Sequence, residues 1–118
     1  MKQKDLLLNE NKIGKTYVAD NFFLRLRGLI GRDPEKMEAL WIEPCSQIHT
    51  FMMSAPIDVV YIDREGIVLK IEKNIPPSRC QKSVKHSRAV VEFPAYQTEK
   101  LNINVGDTIK KSDCKVLS

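Results

Sequence analysis

The chain is poor in the residues that staple or catalyse: three cysteines, two histidines and one tryptophan among 118 residues. Cys45, Cys80 and Cys114 are an odd number with no Cys-x-x-Cys spacing, which excludes a disulfide framework or a zinc knuckle as the basis of the fold. Long hydrophobic runs are also missing. Leu6-Leu7-Leu8 offers three apolar residues, against the ~7–15 of a signal peptide and the ~20 of a membrane helix. A cytoplasmic protein without membrane contact is therefore expected. No low-complexity tract or internal repeat is present, and no nucleophile elbow, phosphate loop, dinucleotide fingerprint or metal motif occurs. The sequence names no reaction, and neither a cofactor nor a metal is expected.

What is there is an ordinary globular composition, 42% hydrophobic and 29% charged. A chain of this length buries roughly two-thirds of its unfolded surface, enough for one core, so residues 1–118 are expected to form a single domain. The net charge of +4 is mild. Its basic residues concentrate in Arg79, Lys82, Lys85 and Arg88, a segment without the interleaved aromatics on which bases stack. This segment reads as a solvated loop, and nucleic acid is not an expected partner.

Along the chain, Leu6–Leu8 and Ile13–Val18 read as a hairpin around a polar turn at Asn9–Lys12, placed at a sheet edge. The clearest helix signal follows at about residues 21–30. Asp20 is its candidate N-cap, Phe22, Leu26, Leu29 and Ile30 share one face, and Gly31 is a natural stop. From Ala39 onward the pattern is strand-like: 40–42, 48–53, 57–63, 67–75, 89–93 and 108–110. Asp63-Arg64-Glu65-Gly66 reads as a tight turn, and Pro76-Pro77-Ser78 ends a strand because proline cannot donate to a ladder. The expected fold is a small β-rich α+β domain, with a curled or barrel-like, mostly antiparallel sheet and one main helix.

The ordered runs RGLIGR (27–32), IHTFMM with PIDVVYID (48–63), VVEFPA (90–95) and GDTI (106–109) resemble the bacterial and archaeal family known as domain of unknown function 192. The resemblance covers roughly residues 20–110. It implies a compact β-rich fold and brings no established activity. The family commonly carries Trp-Met and a Lys-Asn-Thr-like run where this chain has Phe51-Met52-Met53-Ser54-Ala55, and a glycine where this chain has Tyr96.

Candidate site residues come from the one stretch that mixes polar groups into apolar strands. Cys45 and His49 on one straight strand lie ~13 Å apart, too far to share a metal or a hydrogen bond unless residues 44–47 turn. A pairing of His49 with Asp58 depends on register. A hairpin pairing Met53 with Ile57 puts His49 and Asp58 on opposite faces; one pairing Met53 with Asp58 puts them on one face, still ~13 Å apart along the strands. Asp58 enters a very apolar strand, where an ionised carboxylate needs donors, from backbone amides or from Arg27. Glu92 raises the same question, and with Asp58 it is a candidate carboxylate pair for acid–base or hard-metal chemistry. Met52 and Met53 point to opposite faces, so one of them at most lines a pocket. The candidate ligand-binding residues are therefore His49, Met53, Asp58, Glu92 and Arg27. The expected role is a non-catalytic binding or accessory module with a polar site on the sheet, acting on a small ligand or a protein partner. The alternative is a small hydrolase or metal-assisted enzyme using His49, Asp58 and Glu92, which requires these side chains to converge on one concave pocket.

Overall fold

The computed structural model describes residues 2–19, 39–48 and 55–112. Among them, seven strands form one sheet: β1 (Lys2–Leu8), β2 (Asn11–Ala19), β3 (Ala39–Ile42), β4 (Ile57–Ile62), β5 (Val68–Ile75), β6 (Ala89–Pro94) and β7 (Ile109–Ser112). A short helix, α1 (Gln97–Lys100), follows β6. The spatial order is β5-β4-β6-β3-β2-β1-β7. The β2–β3 pairing is parallel and the other five are antiparallel, so the expected β-rich, mostly antiparallel α+β fold is present. The expected helix at about 21–30 lies outside the described residues.

The sheet rolls until its two edges touch at one place without closing. Ile67 and Thr108 form an isolated bridge; beside it Val68 N–H donates to Asp107 O and Ile109 N–H donates to Gly66 O, both at 2.8 Å. Gly66 makes this approach possible. Its φ is +87°, and a Cβ there would stand 2.6 Å from the Ile109 carbonyl oxygen, a contact no side chain tolerates. The turn before it forms where the sequence placed it, because Asp63 Oδ1 accepts from the amides of Glu65 and Ile67 at 2.9 and 3.0 Å.

Rolling divides the apolar residues into two cores. Alternate residues of the strands, among them Leu6, Trp41, Val60, Ile62, Val91, Phe93 and Ile109, fill the inside of the roll. The intervening residues of β3, β4 and β6, such as Leu40, Val59, Tyr61 and Val90, form a second cluster on the outside, joined by Ile48, Cys45 and Val84. All residues of β3, β4 and β6 are consequently buried. Their near-continuous apolar runs suit strands covered on both faces, unlike the alternation of a one-sided sheet.

Three local expectations are corrected. The first hairpin turns in two residues, Asn9 and Glu10, both at positive φ, the geometry of a tight hairpin turn. It is also not an edge, because β7 pairs along β1. Nor does β4 pair with a strand at 48–53. A strand has two ladder sides, and β5 and β6 occupy both sides of β4, which removes the two registers considered for His49 and Asp58. Residues 49–53 themselves lie outside the described residues.

Candidate functional site

Asp58 sits on β4 facing the inside of the roll, fully buried. Its neighbour β5 carries a bulge: Ile57 pairs with Ile75 and Val59 with Glu72, so Lys73 and Asn74 together oppose Asp58. Asn74 adopts φ 53°, and its N–H donates to Asp58 Oδ1 at 2.9 Å. From the other side, the N–H and hydroxyl of Thr98 in α1 donate to Oδ2 at 3.1 and 2.6 Å. Three donors on one carboxylate make its burial tolerable. Backbone amides therefore serve Asp58, one of the two donor types expected; Arg27, the other, lies outside the described residues. The carboxylate pins α1 across one end of the roll, where Leu101 and Ile103 join the inner core.

Glu92 faces the other way. In the ladder Asp58 stands opposite Phe93 and Val59 opposite Glu92, so Asp58 and Glu92 point to opposite faces of the sheet. The expected carboxylate pair is not formed, because one residue of offset reverses the direction of a side chain. Glu92 instead belongs to a polar row on the outer face. Val59 pairs with Glu72 on one side and Glu92 on the other, and Tyr61 lies two residues further along β4 on that face. Glu92 is 4% exposed and Tyr61 0%. Among the described residues Glu92 Oε1 has no hydrogen-bond partner, while the Tyr61 phenol and the Glu72 carboxylate face each other across β4 and β5.

Electrostatics follow from this burial. Desolvation pushes the Glu92 carboxyl up to about 8, so at neutral pH the protonated form predominates. Burial, then the adjacent Glu72 carboxylate, raises the Tyr61 phenol well above its ordinary value. The other oxygen of Glu72 accepts from the Gln81 side-chain amide. Gln81 in turn is held in place: its N–H donates to Ile48 O at 3.0 Å, and Gln47 Nε2 donates to its carbonyl at 2.8 Å. The segment 45–48 thus packs beside 81–84 along the polar row. Beside Glu72 an open cleft of about 430 Å³ runs along β5, bordered by Asn74, Pro76 and Gln81.

The chain does turn after Pro44, as Cys45 Sγ donates to Gln47 O at 3.1 Å, but His49 and Met53 lie outside the described residues. Among the described residues, no group of three or more His, Cys, Asp or Glu is arranged to hold a metal. Sequence reasoning passed over Tyr61, Glu72 and Thr98. Tyr61 and Glu72 are brought together by the β4–β5 register. The signal available was the polar pair in an apolar setting, a phenol and a glutamate one strand apart. Tyr96, where the resembled family has glycine, adopts φ 72° before α1, a backbone conformation that glycine takes without strain.

Comparisons with known proteins agree with this architecture and attach no activity to it. The chain is 31% identical over 114 residues to a UPF0127 protein of Pyrococcus abyssi, covering 89% of this chain and 96% of that one. It is 29% identical to a UPF0127 protein of Thermococcus sibiricus, covering 88% and 73%. Two solved structures share the fold. One, from Sinorhizobium meliloti and provisionally described as a transcription regulator, superposes with a TM-score of 0.76 at 16% identity over 93% of this chain and 94% of that one. The other, a protein of unknown function from Novosphingobium aromaticivorans, superposes with a TM-score of 0.73 at 17% identity over 90% and 83%. The DUF192 family profile, described as an uncharacterized ACR, matches residues 7–111, and the chain belongs to that family.

Proposed function

We propose that the protein is a small non-catalytic binding or accessory module whose ligand contacts centre on the outer polar row of Glu72, Tyr61 and Glu92. The observation that carries this reading is the buried Glu92 carboxyl, whose Oε1 has no hydrogen-bond partner among the described residues. Burying such a group costs stability, and a leucine would fill the position between Val59 and Leu40 at no such cost. Proteins tolerate local violations of this kind mainly at functional sites. A Glu92 oxygen without a donor, beside the Tyr61–Glu72 pair, suits a ligand that brings hydrogen-bond donors, a cationic group among them. His49, Met53 and Arg27 remain candidate contributors from outside the described residues. The enzyme alternative is less favoured, because Asp58 is consumed by Asn74 and Thr98 and faces away from Glu92.

Among the described residues no helix is long and apolar enough to cross a membrane. A cytoplasmic setting is part of the same proposal. The test of the binding role is a thermal-shift screen of wild type, Glu92→Gln, Asp58→Asn and His49→Ala against divalent metals, nucleotides, sugars, peptides and amines. A compound that stabilises the wild type and leaves folded Glu92→Gln unmoved supports the outer-face site. If no compound distinguishes the two, and Glu92→Gln is simply more stable, the proposal falls.

A further inference from the structure

A second cleft, of about 270 Å³, opens at the end of the roll opposite α1. Its floor is apolar: Trp41, Ile62, Ala89 and Ile109, all buried residues of the inner core. Its rim is charged. One carboxylate there is already saturated: Glu43 Oε1 accepts from the Trp41 indole N–H at 2.9 Å, Oε2 meets Arg88 Nε at 3.2 Å, and Lys111 Nζ lies 3.7 Å from Oε1. Burial raises the Glu43 carboxyl, but the hydrogen bonds from Trp41 and Arg88 and the charges of Lys111 and Arg88 outweigh it and leave the group below its ordinary value. Lys111 comes from the inward face of β7 and lays its ammonium over the Trp41 ring, 4.7 Å from the centroid. Asp63 is likewise engaged, by two backbone amides.

The cations of the rim are not matched in the same way. Arg64 and Lys110 line the cleft and take part in no hydrogen bond or ion pair with the described residues, and Arg88 engages Glu43 through Nε, which leaves its two terminal nitrogens with donors to spare. Among the described residues Glu65 is the one remaining carboxylate of the rim. An apolar floor with a few convergent charged groups is the usual make-up of a small-molecule site. We propose that this cleft binds an organic anion, a carboxylate on an apolar body: the body lies on Trp41, Ile62 and Ala89, and the carboxylate meets the outward end of Arg88 with Arg64 and Lys110. The carboxylate belongs either to a free small molecule or to the C-terminus of a peptide. The floor of this site belongs to the inner core, whereas the polar row lies on the outer face, and the site does not depend on that row.

Trp41 is the chain's one tryptophan, so its emission reports this cleft alone. Wild-type protein is titrated with benzoate and with benzamide, the same ring without the charge, and with a short apolar peptide bearing a free or an amidated C-terminus. The titration is repeated on Arg64→Gln/Arg88→Gln/Lys110→Gln, checked for folding by circular dichroism, with Arg64→Gln/Lys110→Gln in reserve should the triple variant not fold. The expected result is a saturable change in Trp41 emission with benzoate or the free-carboxylate peptide, at least tenfold weaker with the uncharged counterpart and at least tenfold weaker in the variant. Which of the two carboxylates binds identifies the source. Equal affinity for charged and uncharged partners, undiminished affinity in the folded variant, or no saturable response in the millimolar range overturns the proposal.

Discussion

Glu92 and Asp58 are both carboxylic acids in strands buried on both faces, and they behave in opposite ways because of what stands beside them. Asp58 has three donors; among the described residues Glu92 Oε1 has none. The pH dependence of stability should therefore carry the signature of Glu92. Its folded value, about 8, exceeds the ordinary 4.5, so the folded state binds the proton more tightly. The contribution is present in full below about pH 4.5, declines through the window up to about 8 and is gone above it, amounting to a few kcal/mol at about 1.4 kcal/mol per unit. Urea titrations at pH 5 and pH 9 should show Glu92→Gln close to wild type at the lower pH and more stable at the higher. Identical pH profiles would mean that the Glu92 carboxyl finds a partner in solution. Tyr96 offers a second residue-level test. It is 58% exposed and left-handed, so Tyr96→Gly removes strain with little loss of packing. Thermal unfolding should report a gain of about 0.5–1 kcal/mol.

The bulge in β5 and the helix α1 become one device through Asp58. The bulge aims the Asn74 amide, the helix presents the Thr98 amide and hydroxyl, and the carboxylate joins them across the end of the roll. Asp58→Asn turns an acceptor into a donor that faces donors, and a loss of about 2–3 kcal/mol is expected from chemical denaturation. Thr98→Val, which keeps the shape and the amide, should cost about 1–1.5 kcal/mol. If the two losses are equal, the Thr98 hydroxyl is the donor that matters and the two backbone amides add little. At the opposite point of the fold, Gly66 lets the edges of β5 and β7 meet. Gly66→Ala places a methyl against the Ile109 carbonyl at a φ of +87°, and a loss of at least about 2 kcal/mol in thermal unfolding is expected.

At the scale of the whole molecule, β3, β4 and β6 are shared by both cores, while β1, β2 and β7 have residues exposed or half-buried along their length. Opening the central strands must disrupt both clusters at once. Native-state hydrogen exchange should therefore place the slowest amides in 40–42, 58–62 and 89–93, exchanging only through global unfolding, with those of β7 faster. Slowest exchange in the β1–β2 hairpin would show instead that the two cores unfold separately. The basic segment Arg79–Arg88 crosses the surface as an irregular loop with Lys82 and Lys85 exposed, in keeping with the solvated loop read from its composition.

Strand positions were legible because they depend on local chemistry. Apolar runs bounded by Asp63–Gly66, Pro76–Ser78 and Asn104–Asp107 mark β4, β5, β6 and β7 to within a residue or two. The family motifs were legible for the same reason, as ordered residues in one chain. Pairing was not, because a ladder partner is chosen by contacts distant in sequence. β4 lies between β5 and β6 rather than beside 48–53, β7 covers β1, and a two-for-one bulge decides what faces Asp58. The site follows from the pairing. Asp58 and Glu92, each suspicious in sequence, are sent to opposite faces by a one-residue offset, while Tyr61 and Glu72, each unremarkable in sequence, are brought to Glu92 across three strands. Sequence by itself determined which residues are apolar enough to be buried; only the tertiary structure decided which polar groups share a face, because side-chain direction in a sheet reverses at every residue and is set by register.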